Sequence, residues 1–128
     1  AAAALDLVGL SHRAPVLAQR LTAGEGRLLE LARAIATGAK LILLDEPAAG
    51  LNSVEAGALE EKLRILQQRG QTLLLVDHHM RLVMGLANRV VVLKEGALLA
   101  EGRPAEIEAD KRVVEAYLGS GALKRRRG

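Results

Sequence analysis

Three observations predict an α/β fold. Leu41-Ile42-Leu43-Leu44 is a short, wholly apolar run bounded by breakers, and Thr72-Leu73-Leu74-Leu75-Val76 is a second. Runs of that length and composition read as strands buried on both faces of a sheet. Between them Val54, Ala58, Leu59, Leu63 and Leu66 recur at helical spacing. Strand, helix and strand in that order imply a parallel pair joined by a right-handed crossover.

The remaining elements follow from local signals. Ala1 to Val8 is rich in helix formers, and Gly9 is a stop. Leu10 to Arg20 carries Ser11, Pro15 and mixed polarity, so it reads mostly as loop. Gly26 to Ala36 takes on helical character, with Leu28, Leu31, Ala32 and Ile35 forming an amphipathic stripe that Gly38 ends. Pro47 to Leu51 is a loop, and Asn52 with Glu55 three residues later is a capping pair at the start of the crossover helix, which ends near Gly70. Met80 to Leu86 is a short helix. Arg89 to Leu93 and Ala97 to Ala100 flank Glu95-Gly96, a two-residue hairpin signal. Pro104 suits the first turn of a helix. Lys111 to Leu118 is a last helix with Val113, Val114 and Tyr117 on one side. Three segments are expected: 1–38, a helical lead-in; 39–119, the α/β core; and 120–128, a basic tail.

The bulk numbers narrow the function. The chain has 128 residues, half of them apolar, which is enough for one core. There is one Tyr and no Phe or Trp, so an aromatic platform for stacking nucleic-acid bases has almost no support. The net charge of +3 is owed to Lys124, Arg125, Arg126 and Arg127; the rest is close to neutral. That cluster reads as a solvated tail, with weak attraction to anionic lipid or nucleic acid as the functional alternative. Cysteine is absent, which excludes disulfides and thiolate metal sites. No apolar run approaches the ~20 residues of a membrane span, and the Ala-rich start lacks the basic region of a signal peptide. A cytosolic protein is expected, one that can still dock on a membrane protein.

Chemistry concentrates where strands end. Asp45 and Glu46 follow the first strand, and ligands of open α/β sheets bind outside the carboxyl ends of their strands. Two acids there suggest one ligand for a divalent metal and one base for a water; the bland alternative is a solvated acidic turn. Asp77-His78-His79 follows the second strand. His78 faces the same edge as the acids and can contact a phosphate, although a lone His at a strand end is more often structural. His79 reads as a cap-region or surface residue. Leu21-Thr22-Ala23-Gly24-Glu25 opens a helix, whose start exposes unpaired N–H groups suited to phosphate oxygens. Thr22 adds a hydroxyl and Gly24 allows close backbone approach; the alternative is a plain helix start with Thr22 as its cap.

Together these stretches resemble the C-terminal portion of an ABC-transporter ATPase subunit, over about Leu5 to Leu118. Leu21 to Glu25 resembles the signature motif LSGGQ and is followed by the similar run Arg27-Leu28-Leu29-Glu30-Leu31-Ala32-Arg33-Ala34. Leu41 to Pro47 resembles Walker B with its following glutamate, Ala49-Gly50-Leu51-Asn52 the D-loop, and Leu75-Val76-Asp77-His78 the switch-histidine region. Arg89 to Gly102 and Pro104 to Leu118 resemble the end of branched-chain amino-acid importer ATPases, with the run Val114-Glu115-Ala116-Tyr117-Leu118-Gly119.

The resemblance implies part of a P-loop NTPase fold: parallel strands with flanking helices and a C-terminal β-hairpin. It implies ATP and Mg²⁺ as cofactors, with Asp45 holding the metal mostly through water. Glu46 would polarise the attacking water and His78 would contact the γ-phosphate. Thr22, Ala23, Gly24 and Glu25 would reach a nucleotide held by the second ATPase subunit of a head-to-tail dimer, with Asn52 at that contact. For Asn52 the helix-cap reading holds equally, and the two are compatible. Membrane permease subunits would be the other partners, placing the protein on the cytoplasmic face of the cell membrane. No nucleic-acid partner is expected.

The sequence departs from the family pattern in ways that bear on this. Ala23 replaces the first glycine of the signature and Glu25 its glutamine, and Gly26 falls inside the helix at a cost of about 1 kcal/mol relative to Ala. Glu25 would weaken phosphate binding if it pointed inward. Asn52 stands where the wider family often has aspartate. The 128 residues contain no G-x-x-x-x-G-K-[ST] loop to wrap phosphates, since Gly38-Ala39-Lys40 is followed by Leu41. One expectation is a partial importer ATPase, inactive without a P-loop half. A second is a non-enzymatic module that pairs with an intact ATPase subunit, and a third is an unrelated α/β binding domain.

Overall fold

The computed structural model describes residues 1–118. They form two compact units, 1–79 and a second starting at Met80. The expected tail over 120–128 lies outside the described residues.

The first unit holds α1 (Ala2–Leu7), two 3₁₀ turns at Ser11–Arg13 and Ala18–Arg20, α2 (Ala23–Ala36), β1 (Leu41–Asp45), α3 (Ser53–Gln68) and β2 (Thr72–Val76). β1 and β2 are parallel neighbours, with Leu41 opposite Thr72, Leu43 opposite Leu74 and Asp45 opposite Val76. The predicted strand–helix–strand unit is therefore present. Gln71 fastens the start of the pair, its side-chain amide donating to the Ala39 and Lys40 carbonyls at 3.0 and 2.8 Å. Val8, Leu10, Leu31, Ala32, Leu59, Leu63 and Leu66 are buried, so the stripes of α2 and α3 do face a core.

Three expectations change here. The helical span from Gly26 is too short: α2 begins at Ala23, as Thr22 read as a cap implies, because Thr22 and Glu25 form a capping box three residues earlier. Val54, expected on the buried stripe of α3, is 79% exposed; it lies in the first turn, beside the cap rather than over the core. The strands are buried on one face only. Ile42 is buried, whereas Leu41, Leu43 (67% exposed), Leu74 (55%) and Val76 share the opposite face, on which no described element closes.

The second unit packs α4 (Met80–Leu86), α5 (Pro104–Ala109) and α6 (Lys111–Val113) with an antiparallel hairpin, β3 (Val90–Lys94) and β4 (Ala97–Gly102). Its core is Val90, Val92, Ala100, Ile107 and Val113. Glu95 and Gly96 both take positive φ, 50° and 77°, as a tight hairpin turn with two left-handed residues requires. The register shifts between Val92 and Leu93, and β4 runs two residues past its predicted end. The last helix is shorter than predicted: only Lys111–Val113 is α-helical, and Val114–Leu118 is a π turn. Val113 is buried but Tyr117 is not; its hydroxyl donates to the Leu93 carbonyl, which draws the ring to the hairpin surface.

Candidate functional site

Parallel pairing brings the carboxyl ends of β1 and β2 side by side. Asp45 is the last residue of β1 and is exposed, with no ion pair among the described residues. Glu46 comes next. Its N–H donates to the Val76 carbonyl at 2.7 Å, extending the strand pair by one bond. Its φ is 45°, in the left-handed region that a non-glycine residue enters at some cost, of order 1–3 kcal/mol. Such a residue ends the strand and turns the chain into the Pro47–Leu51 loop. His78 lies across from it, Nδ1 3.7 Å from Glu46 Oε1, with both side chains more than half exposed. That separation is beyond hydrogen-bond range, so neither group is locked by the other and both remain available to a ligand. Glu46 and His78 thus meet at one edge, as expected, and Asp45 sits at the same strand end.

Asp77, which carried no expected role, anchors this edge. Its side chain is fully covered. One carboxylate oxygen accepts the His79 N–H at 2.9 Å and lies 2.6 Å from His79 Nδ1. The other accepts a long bond, 3.4 Å, from the Ala48 N–H in the loop after Glu46. Burial pushes the Asp77 carboxyl up, but the bonds from His79 and Ala48 outweigh it and hold the group below its ordinary pKa. An ionised carboxylate accepts only, so His79 Nδ1 carries the proton of their contact. Asp77 therefore ties the segment bearing His78 to the loop bearing Glu46. The available sequence signal was a charged residue at a strand end that a buried loop must satisfy.

The second group of candidate residues collects at two helix starts. Thr22 Oγ1 accepts the Glu25 N–H at 3.2 Å, and Glu25 Oε2 accepts the Thr22 N–H at 2.9 Å. The cap reading of Thr22 therefore holds. Its hydroxyl hydrogen is not consumed by that bond and stays free to donate. Glu25 also receives Arg13, whose Nη2 donates at 3.1 Å while Nε lies 2.9 Å from Oε1, close in charge but without an aligned hydrogen bond. The Thr22 N–H first, and the Arg13 guanidinium after it, hold the Glu25 carboxyl below its ordinary pKa. The negative charge feared at this helix start is thus turned back on the chain and paired. Nothing in the spacing of Arg13, twelve residues away in a loop, announces that partner.

Asn52 repeats the device at α3: Oδ1 accepts the Glu55 N–H at 2.9 Å and Glu55 Oε2 accepts the Asn52 N–H at 3.1 Å. The two caps touch. A Cβ on buried Gly24 would stand 2.9 Å from Glu55 Cγ and 3.1 Å from its carboxyl carbon. Gly24 is needed for close approach, and among the described residues the approaching group is the Glu55 side chain. Ala23 is exposed at the first position of the same helix.

Comparison with known proteins gives these features a context. The sequence model of the ABC transporter family matches residues 1–49, and that of the branched-chain amino acid ATP-binding cassette transporter matches residues 97–122. The high-affinity branched-chain amino acid transport ATP-binding protein LivG of Salmonella typhimurium is 42% identical over 120 residues, 93% of this chain and 47% of its own length. The lipopolysaccharide export system ATP-binding protein LptB of Haemophilus influenzae is 36% identical over 115 residues, 90% of this chain and 48% of its own. The ADP conformation of MJ1267, an ATP-binding cassette of an ABC transporter, superposes with a TM-score of 0.82 at 31% identity, covering 92% of this chain and 48% of that one. The chain spans about half the length of the curated relatives it matches.

Proposed function

The chain belongs to the ABC-transporter ATP-binding family, matching the C-terminal portion of its cassette, and on that premise we propose that it supplies the water-activating and partner-facing elements of an importer ATPase for branched-chain amino acids. The observation that carries this reading is the meeting of Glu46 and His78 across the carboxyl ends of two parallel strands.

The residues fit the cofactors the family implies. Asp45 offers an exposed carboxylate with no competing ion pair among the described residues, suited to holding hydrated Mg²⁺, which is bound by one or two carboxylates plus phosphates. MgATP, when bound, brings the phosphoryl group to be transferred and the cation that offsets its charge. Glu46 then orients a water and takes up its proton at the carboxylate, a role its exposed position, with His78 beyond hydrogen-bond range, permits. His78 turns an imidazole N–H toward a phosphate oxygen. Thr22, with its free hydroxyl hydrogen, and the backbone N–H groups of Ala23 and Gly24 at the positive end of α2 reach the nucleotide of a second ATPase subunit in a head-to-tail dimer. Glu25 acts there by fixing the helix start rather than by touching phosphate. Asn52 lies at the dimer contact while capping α3. Permease subunits are the remaining partners, on the cytoplasmic face of the cell membrane. No described helix is long and apolar enough to cross a membrane, which suits a peripheral position.

A second reading has one observation in its favour: the signature-like helix is intact and capped within these residues. A chain of this kind can pair with an intact ATPase subunit and offer only that helix. The two readings separate in a chimera in which residues 5–118 replace the matching half of LivG beside its own permease. Uptake of branched-chain amino acids is expected. An assembled complex that transports nothing would contradict the first reading and favour the second.

A further inference from the structure

Asp77, His78 and His79 each present a ligand atom such that the three lie within 4.8 Å of one another. We propose that this turn is a binding site for a divalent transition metal of the Zn²⁺ or Ni²⁺ class, held by the two imidazoles with carboxylate support from Asp77 and Glu46.

Four features argue for it. The first is ligand type: neutral imidazole with a carboxylate is a donor set for Zn²⁺, Ni²⁺ and Cu²⁺, whereas Mg²⁺ takes oxygen. The second is preorganisation. Asp77 is clamped by the His79 and Ala48 N–H groups and lies 2.6 Å from His79 Nδ1. A carboxylate that holds one ring nitrogen fixes the tautomer and leaves the other nitrogen as the metal-binding lone pair, as in carboxylate–histidine–metal triads. The third is reach. The imidazole rings are 4.5 Å apart at 33° to each other and both are exposed. Ligand atoms about 2.1 Å from a tetrahedral metal stand about 3.4 Å apart, so small side-chain rotations close the set. His78 Nδ1 already lies 3.7 Å from Glu46 Oε1, near that spacing. The fourth is composition. The chain has three histidines and no cysteine, so this is where two imidazoles meet, and His12 is the remaining one.

On the reading of Glu46 and His78 given above, a metal here would hold both groups away from phosphate and make hydrolysis sensitive to transition metals. Binding itself does not depend on that reading. The test is titration of Zn²⁺, and separately Ni²⁺, into the untagged 128-residue protein by calorimetry, with Co²⁺ visible absorption to report the ligand field. Saturable one-to-one binding at micromolar concentration is expected, with Co²⁺ bands that nitrogen ligation shifts from those of the aqueous ion. His79→Ala should weaken binding by at least about tenfold, and His79→Gln by a similar factor. Asp77→Asn should weaken it roughly 10- to 100-fold. His12→Ala should leave it within about twofold. Each variant is checked by circular dichroism, and His79→Gln keeps the test open if His79→Ala unfolds. No saturable binding below about 1 mM, binding lost equally with His12→Ala, or binding unchanged by both His79 variants would overturn the site. Because no nucleotide is present, its failure leaves the ATPase reading untouched.

Discussion

A carboxylate at the start of α2 opposes an anionic ligand when considered alone, yet Glu25 is bonded by the Thr22 N–H and paired with Arg13. Its role is decided by a residue of the preceding loop rather than by its place in the motif. This has a consequence for pH. The folded-state pKa of Glu25 is depressed, so its contribution to stability is present above the ordinary carboxylate pKa and is lost as pH falls through the lower folded value. Glu25→Gln keeps a side chain that can close the capping box but removes the charge. We expect it to lower the urea midpoint at pH 7, by less in high salt since the pair is partly exposed, and to converge with the parent as pH falls below the depressed folded-state pKa. A difference in midpoint that does not shrink as the solution is acidified through the carboxylate range would show that the ionised form contributes nothing.

Among the elements, the starts of α2 and α3 behave as one structure. Gly24 packs on the Glu55 side chain, and Glu55 also caps the helix that Asn52 begins. Gly24→Ala forces a Cβ against Glu55 Cγ, whose carboxyl end is held by Asn52, so Glu55 cannot simply swing aside. Overpacking of this kind costs roughly 1–3 kcal/mol. The same substitution in a Glu55→Ala background should cost less, with a coupling on the order of 1 kcal/mol in a double-mutant cycle by chemical denaturation. Additive effects would place the two residues out of contact.

This contact also marks the limit of what the sequence disclosed. β1, α3, β2 and the hairpin were legible because apolar runs, helical periodicity and Glu95-Gly96 are local signals. The cap at Thr22 was legible too, but the helical stripe was counted only from Gly26, because the apolar periodicity begins at Leu28 and the first turn of α2 carries none of it. Asp77 was missed because its value lies in donors from Ala48 and His79, and Arg13 because its pairing is set by tertiary approach. One-sided exposure of Leu43 and Leu74 could not be read from strands that are apolar on both faces.

At the scale of the whole molecule, two features belong together. The open apolar face of β1 and β2 is the kind that parallel strands bury, and the relatives are about twice as long as the match. Glu46 is proposed to activate water when a phosphate-binding half is present. Glu46→Gln in the chimera described above tests it most directly, because glutamine keeps the shape and removes the proton acceptor. Phosphate release should fall at least about 100-fold, within the contribution of general base catalysis, while ATP affinity measured by calorimetry stays within a few-fold of the parent. The 128-residue chain run alongside should neither bind MgATP at micromolar concentration nor release phosphate, since these residues contain no G-x-x-x-x-G-K-[ST] loop to cradle β- and γ-phosphates. Hydrolysis at the parent rate in the Glu46→Gln chimera, or turnover by the 128-residue chain that Glu46→Gln abolishes, would contradict the account.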